Sequence, residues 1–375
     1  MSKFQTLNYL TSCSFLNNLE MAETMTKAET MIEIDGSYGE GGGQILRTGL
    51  AYSAILNRPI KIGRIRAGRR NPGLQPQHLK SIEALAKITK ARTDGVKIGS
   101  GTITFIPEEI IPGHYEFDIG TAGSVTLLLQ ALLLPLSLCR SSSYLVLKGG
   151  THVEWSPPFH YLSEVLFPTL ASMGIQAKAG IERWGWYPKG GGRIEIEIHP
   201  ASDLNPVLLN NRGSLRRIYG ISAISNLPNH VAERQRDRAL RRIEKDLKRE
   251  AEIEILSETA SNGQGSFLFL VAESEEVKAG FSSLGKKGKR AEEVADEAID
   301  SLKGYMESDG CVDPHLADQL VPFMALRKGS SSLTTTRITE HLLTNLWVIS
   351  HFLDIKILRS GNSGEKGRID LISMA

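Results

Sequence analysis

The sequence repeats one order of strands and helices at an offset of about 82 residues. Apolar periodicity over 31–106 predicts strand, helix, strand, helix and two further strands, and the same order returns over 115–198. His78 and His160 take the same place in the two copies, near the start of the second helix. This period is longer than that of solenoid repeats. We therefore expect duplicated units, each a sheet covered on one face by two helices.

A third copy is predicted at the C-terminal end. The stretches 314–326 and 340–353 have helical periodicity and flank a Thr-rich strand, and His341 takes the place of His78 and His160. The three repeats cover about 31–110, 111–205 and 307–375. The predicted fold class is therefore α+β, with three βαβαββ units in one large domain over 31–211 and 307–375.

A small inserted domain is predicted over 212–306, before the third unit, with the order βαββα. Domains tolerate such insertions because chain termini are often close together. Its long helix, predicted over 229–249, concentrates arginines and lysines among interleaved acidic residues. This pattern fits both an RNA-binding face and an ordinary solvated face. Residues 1–30 are rich in Asn, Thr and Ser, and we expect them to form a disordered extension.

Charge and cysteine content narrow the function classes. The 44 Lys and Arg against 42 Asp and Glu give a net charge of +2, which excludes a globally basic nucleic-acid coat protein but not a local basic face. Cys13, Cys139 and Cys311 are odd in number and widely spaced, as is typical of a reducing compartment. No apolar run approaches the roughly 20 residues of a membrane span. We expect a cytoplasmic protein with no membrane partner.

The glycine-rich stretch 35–47 is the densest motif. Gly41, Gly42 and Gly43 expose backbone N–H groups before a helix N-terminus, an arrangement that favours anions. Glu40 would repel a phosphate unless a cation bridged the two, which predicts Mg²⁺ or Mn²⁺ at Glu40. The alternative is a turn whose glycines only satisfy backbone geometry. A dinucleotide fingerprint is excluded because Gln44 replaces its third glycine.

Arg64, Arg66, Arg69 and Arg70 form a second candidate, at a strand end and the loop after it. Arginine binds phosphate with two parallel hydrogen bonds, so this loop is a candidate phosphate site. A solvated basic loop is the alternative.

Two further stretches resemble nucleotide motifs without their chemistry. The stretch 280–287 resembles a P-loop, but Lys287 stands where the Mg²⁺-binding hydroxyl belongs. The stretch 92–95 resembles the KxDG core of nucleotidyl transferases, but Arg92 cannot supply a neutral amine. A nucleotidyl intermediate would therefore need another residue. Histidine fits, because its pKa near 6.5 leaves a neutral nitrogen at pH 7, but the residues alone do not rank the nine histidines.

From residue 31 to its end, the chain closely resembles the RNA 3′-terminal phosphate cyclase family. The motifs that carry the resemblance are 35–47, 66–69, 185–192, and the pair 315–320 (HLADQL) and 340–345 (EHLLTN). The family signature usually has a basic residue immediately before Gly185, where this chain has Trp184.

The resemblance implies a fold and a reaction. The fold has three βαβαββ units, similar to an initiation-factor C-terminal domain and to enolpyruvyl transferases, with a small domain inserted before the last. The reaction is the ATP-dependent conversion of an RNA 3′-phosphate to a 2′,3′-cyclic phosphate. It passes through an adenylylated histidine and an RNA adenylate, and it releases AMP and diphosphate. ATP is then a co-substrate with Mg²⁺ or Mn²⁺, and the partner is RNA with a 3′-phosphate end.

The resemblance also assigns roles by motif position. His341 is the adenylylated nucleophile, and Glu40 is the metal-linked carboxylate. The ATP-binding positions are Gln130, His315, Leu316, Ala317, Asp318 and Gln319. The positions that handle phosphate and RNA are Arg47, Arg66, Arg69, Gln77 and His78.

Three other functions remain to be weighed. A non-catalytic cyclase-like protein of ribosomal RNA processing shares the fold but lacks the nucleophilic histidine, so His341 counts against it. An enolpyruvyl transferase would not need the motifs around His315 and His341. A pure RNA-binding module would form no covalent adduct with ATP.

Overall fold

The computed structural model describes residues 31–201 and 203–373, so the predicted extension 1–30 lies outside the described residues. The first unit has the predicted order. Its elements are β1 Ile32–Asp35, α1 Gly43–Leu56, β2 Ile60–Gly63, α2 Pro76–Thr89, β3 Arg92–Asp94 and β4 Ile103–Ile106. The sheet order is β1-β2-β4-β3, with β1 and β2 parallel.

The second unit repeats this arrangement with the sheet order β5-β6-β8-β7. Its elements are β5 His114–Asp118, α3 Val125–Ser137, β6 Ser143–Gly149, α4 Phe159–Tyr161, a π-helical turn Leu162–Leu166, α5 Phe167–Ser172, β7 Ala177–Arg183 and β8 Gly192–Ile198. The predicted second helix is thus one helical stretch that contains a π-helical turn.

The third unit begins with a strand that the sequence pattern did not predict, β9 Leu208–Leu209. The inserted domain follows, with β10 Leu215–Ser225, α6 His230–Arg242, a π-helical turn Ile243–Leu247, β11 Ala251–Leu256, β12 Gly265–Ser274, β13 Lys278–Leu284 and α7 Ala291–Glu307. The chain then completes the unit with α8 Pro314–Met324, β14 Ser330–Thr335, α9 Glu340–Ser350, β15 Ile355–Ser360 and β16 Gly367–Ser373.

The three-unit α+β fold is confirmed, with one difference in where the insertion lies. Strand β9 pairs in parallel with β14, and the third sheet has the order β15-β16-β14-β9, the same as in the other units. The inserted domain therefore sits inside the third unit, after its first strand. A strand of two residues is too short to show the alternation that predicts strands.

The inserted domain differs from its predicted order by one additional strand, β13, which pairs antiparallel with β12. This strand contains most of the stretch that resembles a P-loop, so that stretch is not a phosphate-binding loop before a helix. In the first unit, the sequence pattern predicts a strand over 96–98 that pairs with one over 102–106. The structure has this strand earlier, as β3, because Gly95 and Gly99 have φ of 73° and 77° and form the connecting turn.

Arginines of the basic helix in the inserted domain form ion pairs with acidic residues of the same domain. Arg234 donates two hydrogen bonds to Glu292 of α7, at 2.9 and 2.8 Å. Arg238 does the same to Asp296, and Arg242 pairs with Asp246 and Asp296. These pairs favour the solvated face over the RNA-binding face.

The helices of the three units pack against one another, and the sheets lie outside them. Helix α1 contacts α2, α3 and α9, while α8 contacts α3 and α9. Tyr52 Oη, on α1, donates a hydrogen bond of 2.7 Å to the backbone oxygen of Pro322 on α8. One apolar core joins all three units, and a separate core lies between α6, α7 and the inserted sheet. None of the described helices is both long and apolar enough to span a bilayer.

Loops from different units meet where their helices begin. Gln77 Oε1, in the first turn of α2, lies 3.4 Å from the backbone N of Ser124, the N-cap of α3. Asp313, the N-cap of α8, accepts a hydrogen bond of 2.8 Å from Tyr161 Oη of α4. Polar contacts between the units therefore cluster at the N-terminal ends of these helices.

Candidate active site

The glycine-rich loop before α1 presents Glu40 toward the third unit. Gly39 and Gly41 on either side of Glu40 both have φ of 55°, a conformation that L side chains rarely adopt. A Cβ atom at Gly39 would also lie 2.7 Å from Thr344 Oγ1 of α9. The turn therefore needs glycine for two reasons, its backbone conformation and its close approach to the helix that carries His341.

His341 is the second residue of α9, and Nε2 lies 3.6 Å from Glu40 Oε2. The same carboxylate oxygen lies 3.3 Å from Arg69 Nη2, so Glu40 stands between a histidine and an arginine. Burial holds the pKa of His341 below its ordinary value, with Glu40 opposing this shift and Arg47 adding to it. A neutral imidazole at physiological pH has one nitrogen lone pair free for attack.

A buried amide, which sequence reasoning did not assign to the site, holds this geometry. Asn345 lies one helical turn after His341, and its Oδ1 accepts hydrogen bonds from Gln44 Nε2 at 2.8 Å and Thr48 Oγ1 at 2.6 Å. Its Nδ2 donates to the backbone oxygen of Asp318 at 2.7 Å. Asn345 thus ties α1, α8 and α9 together. The available signal was an Asn within the otherwise apolar face of a helix.

Two arginines offer unpaired donors beside the loop. Arg47 is buried and donates from Nη2 to Gln44 Oε1 at 2.7 Å, and Arg66 donates to the backbone oxygen of Asn71 at 3.3 Å. Within the described chain, neither Nε atom has a hydrogen-bond partner. Burial lowers the pKa of Arg47 to about 10, which still leaves it charged at neutral pH. Buried donors without partners are costly, and a phosphate would satisfy them.

His78 lies in the same cluster. Its Nδ1 accepts a hydrogen bond of 3.1 Å from the backbone N of Gln75, and its Nε2 lies 2.7 Å from where a Cβ of Gly43 would stand. Burial and the charges of Arg47 and Arg66 lower the pKa of His78 to about 3. His78 is therefore neutral beside the two cations. Gln77 instead turns toward the second unit, where it contacts Ser124.

The predicted ATP-binding residues divide into two groups. Gln130 Nε2 donates to Gln319 Oε1 at 2.8 Å, so these two amides meet across α3 and α8. Asp318 is also buried here, and burial raises the pKa of its carboxyl well above its usual range. His315 is exposed at the start of α8. The side chains of the two apolar positions are fully buried in the core, and these positions are Leu316 and Ala317.

A cavity of about 30 Å³ lies beneath this polar group. Arg47, Gln130, Asp318 and Gln319 are among the residues that line it. This volume holds no more than about two water molecules. The cavity as it stands is therefore too small for a nucleotide base.

The helix that carries the predicted nucleotide residues also contacts the inserted domain. Asp313 Oδ1 caps α8 by accepting from the backbone N of His315 at 2.9 Å and of Leu316 at 3.0 Å. Its Oδ2 accepts from the backbone N of Gly280, on β13, at 3.3 Å. One buried carboxylate thus connects the start of α8 to the inserted domain, a connection that spacing alone does not reveal.

Comparison with known proteins identifies the family of the chain. A sequence model of the RNA 3′-terminal phosphate cyclase family matches residues 38–358. The chain belongs to this family. RNA 3′-terminal phosphate cyclase of Pyrococcus furiosus is 44% identical over 346 residues, which cover 92% of this chain and 100% of that protein. The cyclase of Gloeothece citriformis is 41% identical and covers 86% of this chain and 93% of its own.

A solved structure of the enolpyruvyl transferase NikO from Streptomyces tendae matches 44% of this chain and 31% of that chain, at 14% identity and a TM-score of 0.26. A likeness of that strength carries no argument about the fold.

The departure from the cyclase family signature, Trp184, has a structural role. Trp184 is 5% exposed and stacks on the ring of His152, with centroids 4.1 Å apart and planes 9° from parallel. Its backbone N donates to the backbone oxygen of Ala260 in the inserted domain, at 2.8 Å. An aromatic residue here joins the second unit to the inserted domain.

The donor set at Glu40 fits a metal ion held jointly with a substrate. The described residues contain no group of three or more His, Cys, Asp or Glu side chains placed to hold a metal by themselves. Mg²⁺ is commonly bound by one or two carboxylates together with substrate phosphates and water. Glu40, beside the unpaired Nε donors of Arg47 and Arg66, would supply the protein's part of such a site.

Proposed function

We propose that the protein uses ATP to convert an RNA 3′-terminal phosphate to a 2′,3′-cyclic phosphate, with His341 as the adenylylated nucleophile. The observation that carries the proposal is the approach of His341 Nε2 to Glu40, 3.6 Å away, beside the unpaired donors of Arg47 and Arg66. This arrangement combines a neutral nucleophile, a carboxylate suited to Mg²⁺ and cations for phosphate.

In the first step, Nε2 of His341 attacks the α-phosphorus of ATP. A P–N bond forms, and the bond to the oxygen that bridges to the β-phosphate breaks, so diphosphate leaves. Arg47 and Arg66 bind the phosphate oxygens on which charge develops. The amides of Gln130 and Gln319, which pair with each other at 2.8 Å, would exchange that bond for contacts with the edge of the base. Mg²⁺ or Mn²⁺ bound with Glu40 would neutralise phosphate charge.

In the second step, an oxygen of the RNA 3′-phosphate attacks the phosphorus on His341, and the P–N bond breaks. AMP is now joined to the RNA end through a diphosphate linkage. The neighbouring 2′-OH then attacks the RNA phosphorus and AMP leaves. This last step is intramolecular, so correct positioning supplies much of the rate.

A non-catalytic role in ribosomal RNA processing is the second candidate. The structure favours catalysis, because a half-exposed histidine beside a carboxylate and a cation is more than an RNA-binding surface requires. Side-chain exposures of 44% for His341 and 37% for Glu40 leave both within reach of a substrate.

The test is incubation with α-labelled ATP and Mg²⁺, followed by a denaturing gel. We expect the protein and His351→Asn to become labelled and His341→Asn to remain unlabelled. His351 is a matched control because it lies at the other end of α9, bonded to the backbone oxygen of Trp347 at 2.8 Å. The label should be acid-labile and stable to hydroxylamine, as a phosphoramidate is. Label on His341→Asn would contradict the proposal.

The second half of the reaction is tested with RNA that carries a labelled 3′-phosphate. Cyclisation makes that phosphate resistant to phosphatase, and the resistance should require ATP. A labelled protein that never produces resistant RNA would contradict the cyclase assignment while leaving the adenylylated histidine in place.

A further inference from the structure

Two aromatic side chains of the second unit stand almost fully in solvent. Trp155 is 96% exposed and Tyr187 is 78% exposed. Their loops run side by side. The backbone N of Thr151 donates to the backbone oxygen of Gly185 at 2.9 Å, and His152 and Trp186 pair through an isolated parallel β-bridge. We refer to Trp155 and Tyr187 as the aromatic pair.

Exposures of 96% and 78% leave the aromatic pair with little packing against the described part of the chain. Trp155 also has φ of 64°, an unfavourable conformation for a bulky side chain, so its loop stores strain while exposing an apolar ring. The neighbouring residues Trp184 and Trp186, by contrast, are buried at the interface with the inserted domain. An exposed aromatic pair in such loops is typical of a contact surface.

A run of loops connects Tyr187 to the cluster of Arg47, Arg66 and His78, which we call the phosphate cluster. The Tyr187 turn closes through Gly190, whose Cβ position would lie 2.8 Å from the backbone oxygen of Thr121. The Thr121 loop leads to Ser124, whose backbone N contacts Gln77 at 3.4 Å. Gln77 is followed directly by His78 of the phosphate cluster. Two successive loop contacts therefore connect the Tyr187 turn to the segment that carries His78.

The exposed charges along these loops suit a negatively charged strand whose bases stack on aromatic rings. Arg69 and Arg70 are exposed at the site end, and Lys189 is exposed beside Tyr187. Surfaces that bind single-stranded nucleic acid combine such cations with aromatic rings on which bases stack, without regard to sequence. Glu154 is exposed next to Trp155, so a contact there suits the uncharged face of a base better than a phosphate.

We propose that Trp155 and Tyr187 stack on bases of single-stranded RNA upstream of the 3′-terminal phosphate. The inference rests on the proposed function, because it assumes that the RNA end reaches His341. It adds a binding surface in the second unit that holds the strand without reading its sequence.

The first test compares two RNA substrates that end in a 3′-phosphate, one of two nucleotides and one of ten. Trp155→Ala and Tyr187→Ala should each raise the KM of the ten-nucleotide RNA about tenfold, the loss expected for one stacked base. The KM of the two-nucleotide RNA and the labelling by ATP should not change. Leu358→Ala is the control, since Leu358 is 42% exposed on β15, in the sheet of another unit.

The second test uses fluorescence, since Trp155 is far more exposed than Trp184 and Trp186. The difference in acrylamide quenching between the protein and Trp155→Phe reports on Trp155. Adding the ten-nucleotide RNA should reduce that difference, while inorganic polyphosphate should not. In the absence of RNA, the quenching difference should be large at every protein concentration. If it is small and grows when the protein is diluted, a second copy of the chain covers the aromatic pair, and the proposal is overturned.

The outcomes separate the two proposals. If the protein cyclises both RNAs and the Ala variants are unchanged for both, the aromatic pair is not an RNA surface and the proposed function stands. If the protein cyclises neither RNA, the proposed function fails, and shielding of Trp155 by RNA then decides the contact by itself.

Discussion

Three histidines occupy the same place in three copies of one unit, yet their surroundings differ completely. His341 is half-exposed beside Glu40, with 3.6 Å between Nε2 and Oε2. His78 lies among arginines, and its pKa is lowered to about 3. His160 lies among aromatic rings, with its Nδ1 3.0 Å from Nε2 of His152. The position in the repeat determines where the imidazole lies within its unit. The residues that neighbouring units pack against it determine its charge and its exposure.

The chemical difference follows from what each unit packs against. The first unit meets the third, which brings a carboxylate to His341. The second unit meets the inserted domain, and Trp184 and Phe267 surround His160, with ring centroids 5.0 and 5.8 Å away. Among the described residues His160 has no ion-pair partner, and the open cavity that it lines carries Glu182 and Glu258, whose negative charges disfavour a phosphate.

Among changes outside the three histidines, Asn345→Ala should have the largest effect on the rate at which His341 forms the adduct with AMP. Removing the amide leaves Gln44, Thr48 and the backbone oxygen of Asp318 without their partner, at a cost of about 1–3 kcal/mol in stability. Because α1 and α9 then lose their direct polar connection, Glu40 and His341 should separate. We expect adduct formation at saturating ATP to fall about ten- to hundredfold, since small misplacements carry large kinetic costs.

The control is Ser350→Ala, which removes a hydrogen bond of 2.7 Å to the backbone oxygen of Trp347 at the far end of α9. Adduct formation by Asn345→Ala at the normal rate, with lowered melting temperature, would show that the amide stabilises the fold without positioning His341.

A second prediction concerns the stability of the interface around His160. Burial lowers the pKa of His160 to about 4, from about 6.5 in the unfolded chain. The unfolded chain therefore binds more protons between these values, so the free energy of unfolding should fall as pH drops from 6.5 to 4. The loss from His160 should be about 2–3 kcal/mol.

Urea unfolding at pH 7.5 and 4.5 measures this loss, and His160→Gln should reduce it. His199→Gln is the matched control, because the side chain of His199 is 36% exposed and lies 3.4 Å from Glu197. An equal acid loss in His160→Gln and the unaltered protein would contradict the apolar environment assigned to His160.

The smallest effect is expected from His78→Gln. The pKa of His78, about 3, keeps its ring neutral across the range from pH 5 to 8. Glutamine is also neutral and offers an oxygen acceptor, so adduct formation should stay within about threefold of normal. Labelling rates across that pH range measure the effect. A loss as large as that of His341→Asn would mean that His78 takes part in the adenylylation step.

Much of the fold was predictable because its signals are local. Apolar periodicity predicts helices over 44–56, 77–90, 123–138, 314–326 and 340–353, each within a few residues of the observed α1, α2, α3, α8 and α9. Alternation of apolar and polar residues predicts a strand over 59–66. The predicted strand 59–66 is too long, since Arg64 and Arg66 have φ of 52° and 55° and leave the extended conformation. That turn carries Arg66 toward the glycine loop, and arginine has no sequence signature for such a conformation.

The candidate site was predictable to the extent that its residues lie in motifs. The glycine loop, Arg47 and His341 are all visible in the sequence, and the structure brings them together. Asn345 and the link from Asp313 to Gly280 were not assigned, because a buried polar contact between distant segments leaves no spacing to find. Trp155 was also missed, since exposure is a property of the folded surface.

The sequence by itself determined the repeated unit, because the alternation of strands and the period of helices depend on neighbours a few positions apart. Only the tertiary structure decided which of the three equivalent histidines faces a carboxylate. That choice depends on how α1 packs against α9, through contacts such as Gln44 with Asn345, 301 positions apart. Contacts over that distance exist only once the units have packed, so the pairing of His341 with Glu40, on which its proposed role rests, comes from the assembly of the units.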